Sequence, residues 1–279
     1  MSEQCAYGKE CLRKWLGRIG EQRPLLECVT NVVTVNDVAN VILAAGASPV
    51  MGDAVDEVPD FVKIASAVVL NVGSMACAKS FEVAMECAEK LARPVVYDPV
   101  GVGAAGLRTT LTFKLLDRHP CAVVRGNASE IRTLAEGAGE TKGVDAAEGD
   151  AVTEATLPAR LQVVKAVAQH YHCTVAMSGA IDLISDGETS FACRNGVPWM
   201  SRVTGTGCSL TGLMGAFVAV AAKDEMAEAA AMATAMMGMA GEAAFAKARG
   251  LGLGSFRICL MDALSTILEQ DVRPRLERL

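Results

Sequence analysis

Short apolar runs alternate with longer amphipathic ones through roughly the first two thirds of the chain. Runs at residues 25–30, 67–72, 94–98, 121–125 and 174–178 predict strands. Several are nearly continuous in Val, Leu and Ala, as strands buried on both faces should be. Between them, a period near 3.6 predicts helices over 35–45, 58–65, 77–92, 109–118, 128–136 and 158–170. This β-α-β-α rhythm predicts a largely parallel sheet with helices on both faces. After Ser178 the rhythm changes. Residues 181–185 and 189–194, split by Asp186-Gly187, predict a β-hairpin. Ala- and Met-rich helices are predicted over 206–221, 225–247 and 256–270, with the glycines of 250–254 separating the last two. Residues 136–156 are rich in Gly, Glu and Ala and predict a mobile loop. No repeat or long linker interrupts the pattern, so residues 1–279 are expected to form one domain.

Composition sharpens this picture. Hydrophobic residues make up 51% of the chain but aromatics only 4%, so small side chains supply most of the apolar surface. That suits a tightly packed layered core with a buried subunit interface. The net charge of -6 argues against nucleic acid or an anionic membrane as partner. Residues 203–222 carry no charge and are long enough to span a bilayer. Their first half is polar and glycine-rich, which predicts a buried helix with a functional N-terminus instead. The N-terminus lacks a basic-then-apolar export signal, and the ten cysteines show no C-x-x-C pair. Reduced thiols in a cytoplasmic protein are the expectation. His170 and His172, near a predicted helix end, are read as surface histidines.

Candidate chemistry gathers where apolar strands end, which is where open parallel sheets bind ligands. Thr30-Asn31, Asp98-Pro99-Val100-Gly101, Arg125-Gly126-Asn127 and Ser178-Gly179 all occupy such positions. Gly101, Gly103 and Gly106 match G-x-G-x-x-G, but Pro99 separates them from the strand and Arg108 stands where a clean helix start is wanted. A loop covering the site is the expectation there. No G-x-x-x-x-G-K-[ST] occurs. Gly205-Thr206-Gly207-Cys208 opens a long apolar helix, whose unpaired amides and dipole would attract a phosphate. Taken alone, this segment is as compatible with a packed, capped helix start. Asp98 and Glu130 at neighbouring strand ends are candidates to hold Mg²⁺ through waters and substrate phosphates. Asn127 with Glu130 also fits an N-terminal capping box.

Together these segments resemble the hydroxyethylthiazole kinases, a ribokinase-like family of thiamine salvage. The resemblance rests on Val29-Thr30-Asn31, Gly46-Ala47-Ser48-Pro49-Val50-Met51, the 98–104 and 125–131 segments, Lys142-Gly143-Val144-Asp145 and Val203-Thr204-Gly205-Thr206-Gly207-Cys208. It implies a ribokinase-like three-layer α/β/α fold and ATP-dependent phosphorylation of the thiazole alcohol with Mg²⁺. Carried over, it implies that Asn31, Met51 and Gly205 line the thiazole pocket, and that Arg125 and Ser178 contact ATP. Asp98 and Glu130 would govern Mg²⁺, and Cys208 would stand beside the reacting hydroxyl. Ribokinase-like relatives normally carry Asp at the position of Cys208. A homotrimer with active sites at subunit interfaces is also implied. Two departures stand out: Glu27-Cys28 replaces a segment in which the family often carries His, and Gly52-Asp53 makes the stretch after Met51 more polar.

Overall fold

The computed structural model describes residues 7–137 and 152–279. Most of the predicted mobile loop at 136–156, including Lys142-Gly143-Val144-Asp145, lies outside the described residues.

Among the described residues, nine strands form one sheet in the order β2-β1-β3-β4-β5-β6-β7-β8-β9. Six of them run parallel: β1 (Leu25–Val29), β2 (Ser48–Val50), β3 (Ala67–Asn71), β4 (Val95–Asp98), β5 (Val123–Asn127) and β6 (Thr174–Ser178). The predicted hairpin is β7 (Asp182–Ser185) and β8 (Ser190–Cys193), and β9 (Leu276–Arg278) adds an antiparallel edge. Strands β3 and β4 are buried along their whole lengths, as their unbroken apolar runs require.

Alternation along each strand feeds two cores. In β1, Leu26 and Cys28 pack with α1 (Lys9–Gln22), α2 (Val35–Ala44), α8 (Thr206–Val218), α9 (Met226–Ala248) and α10 (Leu253–Ser265). Val29 points the other way, toward α3 (Val58–Ile64), α4 (Ala78–Lys90), α5 (Gly106–Leu116), α6 (Ala128–Gly137) and α7 (Leu157–Tyr171). The three-layer α/β/α expectation is met.

The uncharged 203–222 stretch contains the core helix α8, whose residues from Ser209 to Val218 are all buried. Helix α9 is also long and apolar enough to cross a membrane, but it is almost entirely buried within the protein. Its alanines and glycines allow close approach: Gly238 packs on the Asn195 backbone and Gly241 on Met200. Cys28, Cys77, Cys121, Cys173 and Cys193 are buried free thiols, behaving as small apolar residues. His172 ends α7 in the left-handed region, with φ 51°.

Some boundaries moved. Helix α5 starts at Gly106, three residues before the expected 109, and α10 starts at Leu253, so Gly254 lies inside it. Helix α1 and strands β2 and β9 had no counterpart in the predicted elements.

Candidate active site

The carboxyl ends of β1, β3, β4, β5 and β6 meet the N-terminus of α8. Gly205 caps that helix with φ 86°, a conformation that favours glycine, and a Cβ there would lie 2.6 Å from Thr34 Cγ2. This close contact sets the start of α8 against the entry of α2, next to Asn31. The amides of Thr206, Gly207 and Cys208 have no acceptor among the described residues, because the first bond closing the helix is Ser209 N–H to Gly205 O.

A buried hydrogen-bonded chain runs beneath these amides. Asn71 Nδ2 donates to Asp98 Oδ2 at 2.7 Å, and Asn71 Oδ1 accepts from Asn31 Nδ2 at 3.0 Å. Asn31 Nδ2 also donates to Cys208 Sγ at 3.3 Å. The amide orientations follow from the main chain: Gly73 N–H donates to Asn71 Oδ1, and Val33 N–H donates to Asn31 Oδ1. Thr211, one turn into α8 from Gly207, donates to Asp98 Oδ2 at 2.7 Å. Asp98 Oδ1 is buried with no hydrogen-bond partner among the described residues. Burial pushes the Asp98 carboxyl up to about 6, despite the opposing Arg125 charge, with Glu130 adding to the rise.

Arg125 stands between this chain and a cleft of about 570 Å³, a size suited to a small-molecule ligand. Its Nη1 is 3.6 Å from Asp98 Oδ2, and its Nε and Nη2 donate to Ser178 Oγ at 3.0 and 2.7 Å. A Cβ on Gly207 would lie 2.7 Å from Arg125 Nη1, so the missing side chain is what admits the guanidinium. Asp182 also lines the cleft and accepts from Gly179 N–H at 2.9 Å; burial pushes its carboxyl up to about 7 against that bond and Arg125.

The expected capping box is present: Asn127 Oδ1 accepts from Glu130 N–H at 2.9 Å, and Glu130 Oε2 accepts from Asn127 N–H at 2.8 Å. Glu130 Oε1 accepts from Gly101 N–H at 3.0 Å. The Gly101 loop is therefore tied to α6, and it offers no dinucleotide cradle through Gly101.

Thus Asn31, Asp98, Arg125, Glu130, Ser178, Gly205 and Cys208 converge. Met51 stands slightly apart, half-buried just beyond β2, against the α8 side of the core. Asn71, Thr211 and Asp182 were not singled out from sequence. Asn71 ends an apolar strand just as Asp98 does, so the signal for it was present. Glu27 is fully buried on β1 with neither carboxylate oxygen hydrogen-bonded among the described residues, and a Cβ on Gly52 would sit 3.2 Å from its Oε1.

Known proteins resemble this chain along most of its length. A chain from Clostridium beijerinckii named hydroxyethylthiazole kinase is 42% identical over 254 residues, covering 90% of this chain and 91% of the relative. One of the same name from Methanosphaerula palustris is 43% identical over 256 residues, covering 90% and 92%. The solved structure of a hydroxyethylthiazole kinase protein from Pyrococcus horikoshii superposes with a TM-score of 0.85 at 34% identity, covering 97% of this chain and 99% of that one. Pyridoxal kinase from Staphylococcus aureus, at 15% identity and a TM-score of 0.60, shares the fold alone. The family profile described as "Hydroxyethylthiazole kinase family" matches residues 16–270. The chain belongs to the hydroxyethylthiazole kinase family.

Proposed function

We propose that the chain transfers the terminal phosphoryl group of ATP to the hydroxyl of 4-methyl-5-(2-hydroxyethyl)thiazole, a step of thiamine biosynthesis and salvage. The observation that carries this reading is the set of free amides at Thr206, Gly207 and Cys208, facing Arg125 beside Asp98. Phosphoryl transfer asks for positioning and charge neutralisation more than for covalent chemistry. The amides and the helix dipole would cradle the transferring group, while Arg125, braced by Ser178, would offset charge on the ATP phosphates.

Asn31, Met51 and Gly205 would line the thiazole pocket. Cys208 would stand beside the reacting hydroxyl; its sulfur accepts from Asn31, so a proton on sulfur points away from that amide. An alcohol loses its proton late in a loose transition state, so a strong base is not demanded.

Asp98 and Glu130 fit Mg²⁺. The ion usually keeps several waters and takes one or two carboxylates plus substrate phosphates, and Asp98 Oδ1 is an orphaned buried oxygen that such a shell would satisfy. When bound, the ion would neutralise phosphate charge. We also propose a homotrimer with interface sites. Val32 and Val33, directly after Asn31, are 69% and 71% exposed and would be covered by such a contact.

The test is ATP-dependent phosphorylation of the thiazole alcohol, run beside hydroxymethylpyrimidine and ribose. Turnover of only the latter two overturns the reading. Light scattering reads the oligomer, and Val33→Asp should dissociate it.

A further inference from the structure

The glycine loop after β4 resembles a phosphate cradle in sequence, but its own amides are spent. Gly101 N–H goes to Glu130, Val102 N–H to Pro99 O, Gly103 N–H to Thr109 Oγ1, and those of Ala104 and Ala105 to Gly101 O. What the loop does present is Arg108. This cation sits in the first turn of α5, where the positive end of the helix dipole disfavours it. It makes no ion pair among the described residues. Its donors go to two main-chain carbonyls instead: Nη2 to Gly73 O at 2.8 Å and Nη1 to Val100 O at 3.3 Å. The half-buried guanidinium thus has no carboxylate partner among the described residues.

Its place is informative. Gly73 lies against Asn31: a Cβ on Gly73 would be 2.9 Å from Asn31 Cβ and 3.0 Å from Nδ2, the atom that donates to Cys208. Arg108 therefore stands over β3 and β4 on the Asn31 side of Asp98, and Arg125 stands on β5 at the other. Along the sheet, the two cations lie on opposite sides of Asp98.

We propose that Arg108 is the acceptor-side phosphate clamp, binding the phosphoryl group as it arrives on the substrate hydroxyl and holding the resulting phosphate ester; this rests on the kinase reading above. In the transfer, the bond from Pγ to the β,γ-bridging oxygen breaks with its electron pair leaving on ADP. The bond from Pγ to the alcohol oxygen forms, and the hydroxyl proton leaves to water, directly or by way of the Cys208 sulfur. The phosphoryl oxygens thus end on the alcohol side, where a guanidinium matches a phosphate's geometry. Because Arg108 interacts with a group the alcohol lacks, it acts after the ground state.

The test compares wild type with Arg108→Gln and Arg108→Lys, using calorimetric affinities for the thiazole alcohol and for its phosphate ester, with steady-state kinetics alongside. Arg108→Gln should weaken the ester at least tenfold and the alcohol less than twofold, and lower kcat at least tenfold with KM for ATP nearly unchanged. Arg108→Lys should recover part of the ester affinity. A merely structural tie between the two loops would weaken alcohol and ester alike, and that result overturns the proposal, as does undiminished ester binding. Failure of the wild type to phosphorylate the alcohol would instead refute the kinase reading, and it is seen in a separate arm.

Discussion

Glu27 lends itself to a sharp test, because its charge is placed where nothing supports it. The carboxylate is fully buried on β1, neither oxygen has a hydrogen bond among the described residues, and Glu57 and Asp53 add like charge. Burial first, then those two neighbours, push its pKa from 4.5 up to about 8. The folded state therefore holds the proton more tightly than the unfolded chain does. The sign follows by linkage: between those two pKa values stability falls as pH rises, and the full cost is present above the folded value. At about 1.4 kcal/mol per unit, the cost of the charge is below 1 kcal/mol at pH 5, about 3 at pH 7 and roughly 5 at pH 9.

Glu27→Gln imitates the protonated side chain in shape and polarity but cannot ionise. It should match wild type at pH 5 and exceed it increasingly at higher pH. With an unfolding entropy of about 2 cal/mol/K per residue, the gain at pH 7 corresponds to roughly 5 °C in Tm for a chain this long. Thermal and urea melts of both proteins at pH 5, 7 and 9 measure it. A Tm difference that stays flat with pH, or a variant less stable than wild type at pH 9, refutes the reasoning. Asp53→Asn should narrow the gap by removing one of the repelling charges.

Three further substitutions probe the active site. Cys208→Ser should lower kcat far more than it raises KM for the thiazole if the Cys208 thiolate takes the proton; a near-normal kcat removes that role while leaving the anion pocket intact. Gly207→Ala should raise KM for ATP at least tenfold, because the new Cβ meets Arg125 Nη1 at 2.7 Å; the flexible guanidinium yields, so Tm should hold or rise, and an unchanged KM would contradict the close approach. Thr211→Val keeps its shape but removes the 2.7 Å hydrogen bond to Asp98, so urea melts at pH 8 should show a loss of about 2 kcal/mol, and no loss would mean that Asp98 is supported elsewhere.

Much of this was legible from residue patterns because burial on both faces leaves a plain signature. The apolar runs of β3, β4 and β6 could hardly be other than inner strands, and polar residues at their ends marked the site. The elements that escaped are short or atypical. Strand β2 is three residues with Pro49 at its centre, tolerated because it lies at the sheet edge. Strand β9 is the mostly exposed Leu276–Arg278, paired with β8 at the edge of the sheet. Helix α1 does carry Leu12, Trp15 and Ile19 on one face, but its otherwise polar sequence muted the period. Thr211 was hidden by its setting, since a threonine inside an apolar helix reads as packing until Asp98 is seen beside it. Glu27 shows the converse: alternation on a strand says which face a side chain takes, but not that α3 would cover that face.

The polarity of the Asp98–Asn71–Asn31–Cys208 chain bears on what position 208 is for. Asp98 can only accept when ionised, so Asn71 must turn its amide nitrogen toward it and its oxygen toward Asn31. Gly73 and Val33 N–H groups lock both orientations. Asn31 then has a donor left, and it points at Cys208. Position 208 is thus built for an acceptor, which a carboxylate would satisfy as well as sulfur does. The difference is charge. An aspartate here would add a third carboxylate to Asp98 and Glu130, whereas a thiol accepts the same bond without that repulsion toward incoming phosphates. With the amide orientations set by the backbone, exchanging one acceptor for the other leaves the rest of the chain in place, so Cys208→Asp tests charge alone against an otherwise constant frame.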